Sequence, residues 1–338
     1  MTHGNATAPS GVTGNLLSST DALAQNQVVN APFGQALIRA AESNPRIVAL
    51  TADLGKYTDV DRFAQRFPER FFQMGMAEQN MIGVAAGLAR TGFVPFATTY
   101  CVFATRRGYD FIAIGAALGK ANVKIIAGLP GLTTGYGGTH QGIEDLALMR
   151  AIPNLVVIDP CDATELIQAV DAIVVHDGPV YMRLLRGNVP VVFKTDDYRF
   201  ELGKAKLLVD GGDVALISTG MMTSRALEAA RQLTARAISA SVLHVGTLKP
   251  FDRESVLALV SRVKNVVVVE NHVITGGLAS AVADVLADAG LSVRLRRIGI
   301  PDAFCESGSI PYLIKRYHMG TEDIVATVDA LLDLRRAV

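Results

Sequence analysis

From Pro32 onward, short β-branched and aliphatic runs alternate with longer segments whose apolar positions recur at helical spacing. The runs 47–50, 93–98, 123–127, 155–158 and 180–184 predict strands, and 33–42, 77–91, 104–118, 144–151 and 163–176 predict the helices between them. Such alternation builds a mostly parallel sheet covered on both faces, so the predicted class is α/β, doubly wound. Residues 187–204 break the rhythm with Gly, Pro and a charge cluster, and a linker is expected over 191–204. Beyond it the alternation resumes, with strands at 214–217, 241–244, 266–269 and 293–296 and helices at 221–235, 253–260, 276–289 and 321–334. Two domains are therefore expected, over 27–190 and 205–338. Residues 1–26 are mostly small and polar with Asp21 as the sole charge, which predicts a disordered tail.

Composition narrows the function classes. The chain has 338 residues, half of them apolar, and 32 basic residues balance 32 acidic ones. That core supply excludes a disordered protein, and the neutral balance argues against a nucleic-acid partner. No apolar run reaches the ~18 residues a membrane span needs. The three cysteines, Cys101, Cys161 and Cys305, form no CxxC and read as reduced thiols of a cytoplasmic protein. Residues 1–20 show no secretory signal. Neither GxxxxGK[ST] nor GxGxxG after a strand occurs, and no HExxH or Cys/His cluster has metal spacing, so no metal site is expected in this chain. An α/β protein of this size without a phosphate loop is either inert or leaning on another chain.

Four segments could carry chemistry. Gly75-Met-Ala-Glu78-Gln-Asn-Met opens a helix that is apolar nearly all round and should be buried. Glu78 is then either a first-turn carboxylate favoured by the helix dipole or a desolvated acid able to share a proton with a heterocycle. Tyr100, Phe103 and Arg107 recur at i, i+3 and i+7 after a strand end, as core filling or as a stacking pocket for a flat ring. Residues 128–142 hold many glycines and present His140, which is either structural or an acid, base or hydrogen-bond donor. Arg186 ends a strand, as a surface ion pair or as a fork for a phosphate or sulfonate.

These segments, with Thr51-Ala-Asp53-Leu, the MAEQNM run, Thr139-His140-Gln141 and Arg186-Gly-Asn in that order, resemble the C-terminal half of a transketolase over roughly residues 30–338. The resemblance implies a thiamine diphosphate pyrimidine-binding domain followed by the transketolase C-terminal domain. It implies that Glu78 hydrogen-bonds the aminopyrimidine of thiamine diphosphate and promotes formation of the nucleophile. Asp53, Tyr100 and Phe103 match cofactor contacts. His140 and Gln141 match the substrate loop, and Arg186 matches the grip on a terminal phosphate. The sequence departs from the family at four places: Tyr136, Gly128 and Tyr57 replace substrate contacts, and Arg106 stands where an aromatic of the pyrimidine pocket is expected.

Cofactor activation thus looks intact while sugar recognition is rebuilt. The expected reaction is transfer of a two-carbon ketol unit from an atypical sugar phosphate or a sulfo-sugar to an aldose. Because Asp210-Gly-Gly-Asp213 is not the family's diphosphate and magnesium motif, those ligands are expected on a partner subunit carrying the diphosphate-binding domain. A heterotetramer of two of each chain is expected. The alternatives are a beta subunit of a 2-oxo-acid dehydrogenase-type complex and a non-catalytic regulatory subunit. In the second domain, Val269-Glu-Asn-His272 followed by Gly276-Gly277 resembles a family segment, as a tight turn for domain packing or as an anion slot at a helix start.

Overall fold

A computed structural model of the chain describes residues 27–333. The tail expected over 1–26 lies outside the described residues. The first half runs β1 (Val28–Asn30), α1 (Pro32–Ser43), β2 (Ile47–Thr51), α2 (Asp61–Arg66), β3 (Phe71–Gln73), α3 (Glu78–Arg90), β4 (Val94–Tyr100) and α4 (Cys101–Arg106). A π-helical segment (Phe111–Leu118) follows, then β5 (Lys124–Gly128), α5 (Asp145–Ala151), β6 (Val156–Ile158), α6 (Ala163–Val175), β7 (Val180–Leu184) and β8 (Asn188–Pro190). The second half runs β9 (Lys206–Val209), β10 (Val214–Ser218), α7 (Met222–Thr234), β11 (Ala240–His244), β12 (Thr247–Lys249) and α8 (Arg253–Val260). It closes with β13 (Asn265–Val273), α9 (Leu278–Asp288), β14 (Arg294–Ile300), α10 (Ile310–Arg316) and α11 (Thr321–Asp333).

The predicted class holds. A seven-stranded sheet has the order β12-β6-β7-β5-β4-β2-β3 and is parallel except at β12. A five-stranded sheet has the order β14-β13-β10-β11-β9 and is parallel except at β9. Every residue of β2, β4, β5, β7 and β10 is buried, as strands covered on both faces must be. The chain leaves β2 for β3 on one side and returns for β4 on the other. A crevice therefore opens at the carboxyl ends of β2 and β4, the switch point where such sheets bind ligands. No helix among the described residues is long and apolar enough to cross a membrane, and all three cysteines are buried and unpaired.

Two expectations need correction. The helix expected over 104–118 breaks after Arg106, and the chain resumes as the π-helical segment. Gly108 permits the break, since a Cβ there would lie 2.6 Å from the Ala104 carbonyl oxygen. The helix expected to be buried all round is amphipathic: Met81, Ile82, Ala85 and Ala86 are buried, while Gln79, Asn80, Gly83 and Gly87 are exposed. Glycine counts as apolar in a pattern yet covers nothing. The segment expected as the linker carries contacts of its own. β8 pairs with β1, Val192 is buried, and the buried Phe193 and Tyr198 rings stack 4.2 Å apart at 7°.

A buried polar core joins the halves. Arg183 of β7, 1% exposed, pairs with Asp145 of α5 at 2.6 Å and with Asp159 at 3.2 Å. The Tyr181 hydroxyl donates to Asp145 (2.7 Å), and Thr219 of the second half donates to Asp159 (3.2 Å). Burial alone would raise the Asp145 carboxyl, but the Arg183 guanidinium overrides it and holds the pKa below the usual carboxylate value. Nearby, His244 of β11 meets Glu165 of α6 at 2.9 Å, and the Tyr198 hydroxyl donates to the same carboxylate at 2.6 Å. Asp162 caps α6 and also accepts the N–H groups of Val192 and Phe193, at 2.7 and 2.8 Å.

Arg183→Met should lower unfolding free energy by ~3–5 kcal/mol, because two carboxylates stay buried without their partner. Removing the exposed Arg39–Asp171 pair should cost under ~1 kcal/mol. Urea midpoints of the two variants test the contrast. Burial also pushes the Asp162 carboxyl up from 3.8 to about 7, despite its three N–H donors. Between those values the folded chain keeps a proton that the unfolded chain has released, so this group's stabilisation falls as the pH rises through the window. Asp162→Asn should flatten that part of the pH profile of the urea midpoint.

Candidate active site

Glu78 is the first residue of α3 and is 2% exposed. The turn before it uses Gly75 at φ +69°, a conformation that side chains disfavour. Gln73 anchors this turn: its Oε1 accepts the N–H groups of Asp53 (2.9 Å) and Gly75 (3.1 Å), and its Nε2 donates to Asp53 Oδ1 (3.2 Å). Asp53, left-handed at φ +59°, thus stands at the carboxyl end of β2 beside the Glu78 turn. The desolvated carboxylate is present but not alone. Arg107 Nη1 donates to its Oε1 at 3.0 Å, while the Arg107 side chain stays half-exposed and packs 4.2 Å from the Phe103 ring.

Tyr100, the last residue of β4, and Phe103 lie 5.8 Å apart and Arg107 packs on Phe103, so the three gather although only Phe103 lies within α4. His140 sits edge-on over both rings, at 6.4 and 5.5 Å, and Tyr136 closes on its other side at 5.6 Å. Its Nδ1 faces the Thr139 hydroxyl at 2.9 Å. Gly128 ends β5, and a Cβ there would stand 3.5 Å from the Tyr100 ring. A larger side chain at 128 would compete with that ring. Arg186 lies 5.9 Å from the Tyr57 ring, and burial raises the Tyr100 phenol within the fields of Arg186, Tyr136 and Tyr57. All four residues therefore share one neighbourhood. Asp59 sets the Arg186 turn by accepting the Gly187 N–H at 2.9 Å.

Arg106 does not join this aromatic group. Its guanidinium pairs with Glu144 (3.0 Å), donates to the Gly138 carbonyl (2.9 Å) and lies 5.6 Å from the Phe304 ring. It ties down the His140 loop instead. The second half braces the same loop from the other side. Gly308 N–H donates to Gly135 O at 3.1 Å. A Cβ on Gly135 would fall 2.2 Å from Gly308 O, and one on Gly137 would fall 2.7 Å from Ser307 Oγ. Asn271 accepts the Leu132 N–H at 2.8 Å and donates to Pro130 O at 3.2 Å. The glycine-rich loop is thus one that packs closely. The anion slot considered at Gly276-Gly277 is already filled, because Glu270 accepts the N–H groups of Leu278 and Ala279 at 2.7 and 2.9 Å.

Sequence reasoning missed Asp59, Gln73, Glu144 and the 304–308 segment as parts of this site, and read Arg107 only as part of a helical face. All act through partners more than fifteen residues away in the chain, except for Gln73 on Gly75, so local patterns carry little sign of them.

Residues 27–192 match the pyrimidine binding domain of transketolase, and residues 203–324 match its C-terminal domain. The chain belongs to the transketolase family. It is 52% identical over 332 residues to an uncharacterised transketolase family protein of Sinorhizobium fredii (strain NBRC 101917 / NGR234), covering 98% of this chain and 96% of that one. It is 44% identical over 290 residues to the 6-deoxy-6-sulfo-D-fructose transketolase subunit SqwH of Clostridium sp. (strain MSTE9), covering 86% and 89%. Among solved structures it resembles a split gene transketolase, an inactive beta4 tetramer, with TM-score 0.82 and 44% identity over 90% of this chain and 97% of that one.

Gly135→Ala should force the transketolase-type loop off the second half. Amide exchange over residues 134–142 should quicken tenfold or more, while exchange in β2 and β5 stays unchanged.

Proposed function

We propose that this chain is one half of a thiamine diphosphate-dependent transketolase and works only with a partner subunit that supplies the diphosphate and magnesium site. The observation that carries the reading is Glu78, a carboxylate buried at a helix start beside the aromatic pair at the sheet's switch point. The residues present suit the pyrimidine end of that cofactor. Buried polar atoms without partners, Thr99 Oγ1 beside Tyr100 and Gln141 Oε1 beside His140, are the kind that a ligand satisfies. When bound, thiamine diphosphate supplies the nucleophilic carbon that opens the bond next to a ketose carbonyl.

This chain's residues do the rest of the work on their side of the site. Glu78 holds a proton against the aminopyrimidine, in a setting that excludes water. Arg107 occupies Oε1 of Glu78, and its half-exposed side chain can withdraw along Phe103 as the ring enters. Tyr100 and Phe103 wall the ring. His140 offers Nε2 to substrate oxygens, and Gln141 steadies the loop through its bond to Thr134 O (2.9 Å). Arg186 holds the anionic end of the sugar.

One observation supports the partner. Beside Glu78, the exposed face of α3 with Gly83 and Gly87 continues onto Phe111, Ile114 and Leu118, which are 40, 57 and 70% exposed. An apolar patch of that kind marks an interaction surface. We place two copies of each chain in the assembly. Tyr57, Gly128 and Tyr136 at the substrate end, together with the name of the Clostridium relative, favour a sulfo-sugar donor, with an atypical sugar phosphate as the other candidate.

The chain mixed with a subunit carrying the diphosphate-binding domain, thiamine diphosphate and magnesium should turn over a ketose donor, and the chain alone should not. Glu78→Gln in the complex should lower kcat by ~2 orders of magnitude or more. Turnover by the chain alone would overturn the split reading. Xylulose 5-phosphate serving as the best donor by far would overturn the donor assignment.

A further inference from the structure

The geometry points to an oxyanion-binding cavity between the two halves, in which Arg225 of the second half joins Arg186 of the first. Arg186 lines a cavity of about 520 Å³ just beyond β7, and Met221, Ser224 and Arg225 at the start of α7 close its opposite side. Two arginines line it and no carboxylate does. Neither arginine makes an ion pair within 4.0 Å among the described residues.

Both guanidiniums are under-satisfied. Arg186 Nε is buried without a hydrogen-bond partner. Arg225 Nη1 reaches the Met222 sulfur at 3.4 Å, and a thioether is a weak acceptor. Burial lowers the Arg225 pKa, and the one acid opposing it, Glu322, belongs to α11. On the other side, Asp59 turns its carboxylate to the Gly187 N–H; burial raises its pKa, although the Arg186 charge nearby opposes that rise. Two guanidiniums facing one space without a counter-charge on its wall repel each other, and a bound anion offsets that cost. Leu129, Leu184, Val189 and Pro190 supply an apolar wall. The fitting ligand is therefore a tetrahedral oxyanion on a short carbon chain, a phosphate monoester or a sulfonate.

The cavity shares Arg186 with the proposed substrate site, so its biological ligand rests on the reading above. Its test does not. Methyl phosphate and methanesulfonate, titrated calorimetrically into the full chain alone, should bind, and Arg225→Gln should weaken the better ligand at least tenfold. Replacement of the exposed Arg231 by Gln should leave binding unchanged. Ser224→Asp, which sets a carboxylate on the cavity wall, should abolish binding while the melting temperature holds or rises. This second variant keeps the test decisive if Arg225→Gln folds poorly. Preference for either probe supports the cavity and names its anion. Binding by neither probe, or equal affinity in folded Arg225→Gln and Ser224→Asp, overturns it. A reconstituted complex without ketol transfer, alongside Arg225-dependent binding, would sink the transketolase reading and leave the cavity standing.

Discussion

One guanidinium buried with two carboxylates decides how the halves of this chain meet. Arg183 belongs to β7, Asp145 to α5, Asp159 to the turn after β6, and Thr219 reaches the cluster from the second half. Charges this deep tolerate little displacement, because each is stable only while the others stay within hydrogen-bond reach. The cluster therefore fixes the end of β7, and Arg186 three residues later inherits that position. It also pins the start of α5, and the His140 loop ends just before that helix. Both ends of the candidate site hang from the same ion cluster.

The second half holds the His140 loop largely through close backbone packing. Close approaches of Gly135 to Gly308 and of Gly137 to Ser307 leave no space for side chains, so the His140 loop lies flat on the 304–308 segment. Arg106 then closes the other flank through Glu144 and Gly138. A histidine on a glycine-rich loop would ordinarily sample many positions. Here it is held over Tyr100 and Phe103 by contacts from two sides, the arrangement that preorganised catalysis requires.

The α/β class, the parallel order and the place of Glu78 at a helix start were legible because they rest on local signals such as β-branched runs and helical periodicity. The chain's short elements were not. β1, β8 and β12 have three residues each, too few for a period to register. Long-range partners were equally silent. Nothing around Arg107 announces its bond to Glu78, and nothing around Arg106 announces its pair with Glu144, thirty-eight positions away. The glycines of α3 misled in a simpler way, since they satisfied an apolar pattern while leaving a face bare.

β12 illustrates how far the two halves depend on each other. It comes from the second half, yet it lies antiparallel on β6 at the end of the first half's sheet. Its last residue, Lys249, donates to the Arg150 carbonyl at 2.9 Å, at the end of the helix that opens with Asp145. A chain divided at the boundary between the two family domains would strip β6 of its cover and leave an open row of backbone donors and acceptors, the geometry from which intermolecular strand pairing and aggregation begin. The unit that folds is larger than either domain.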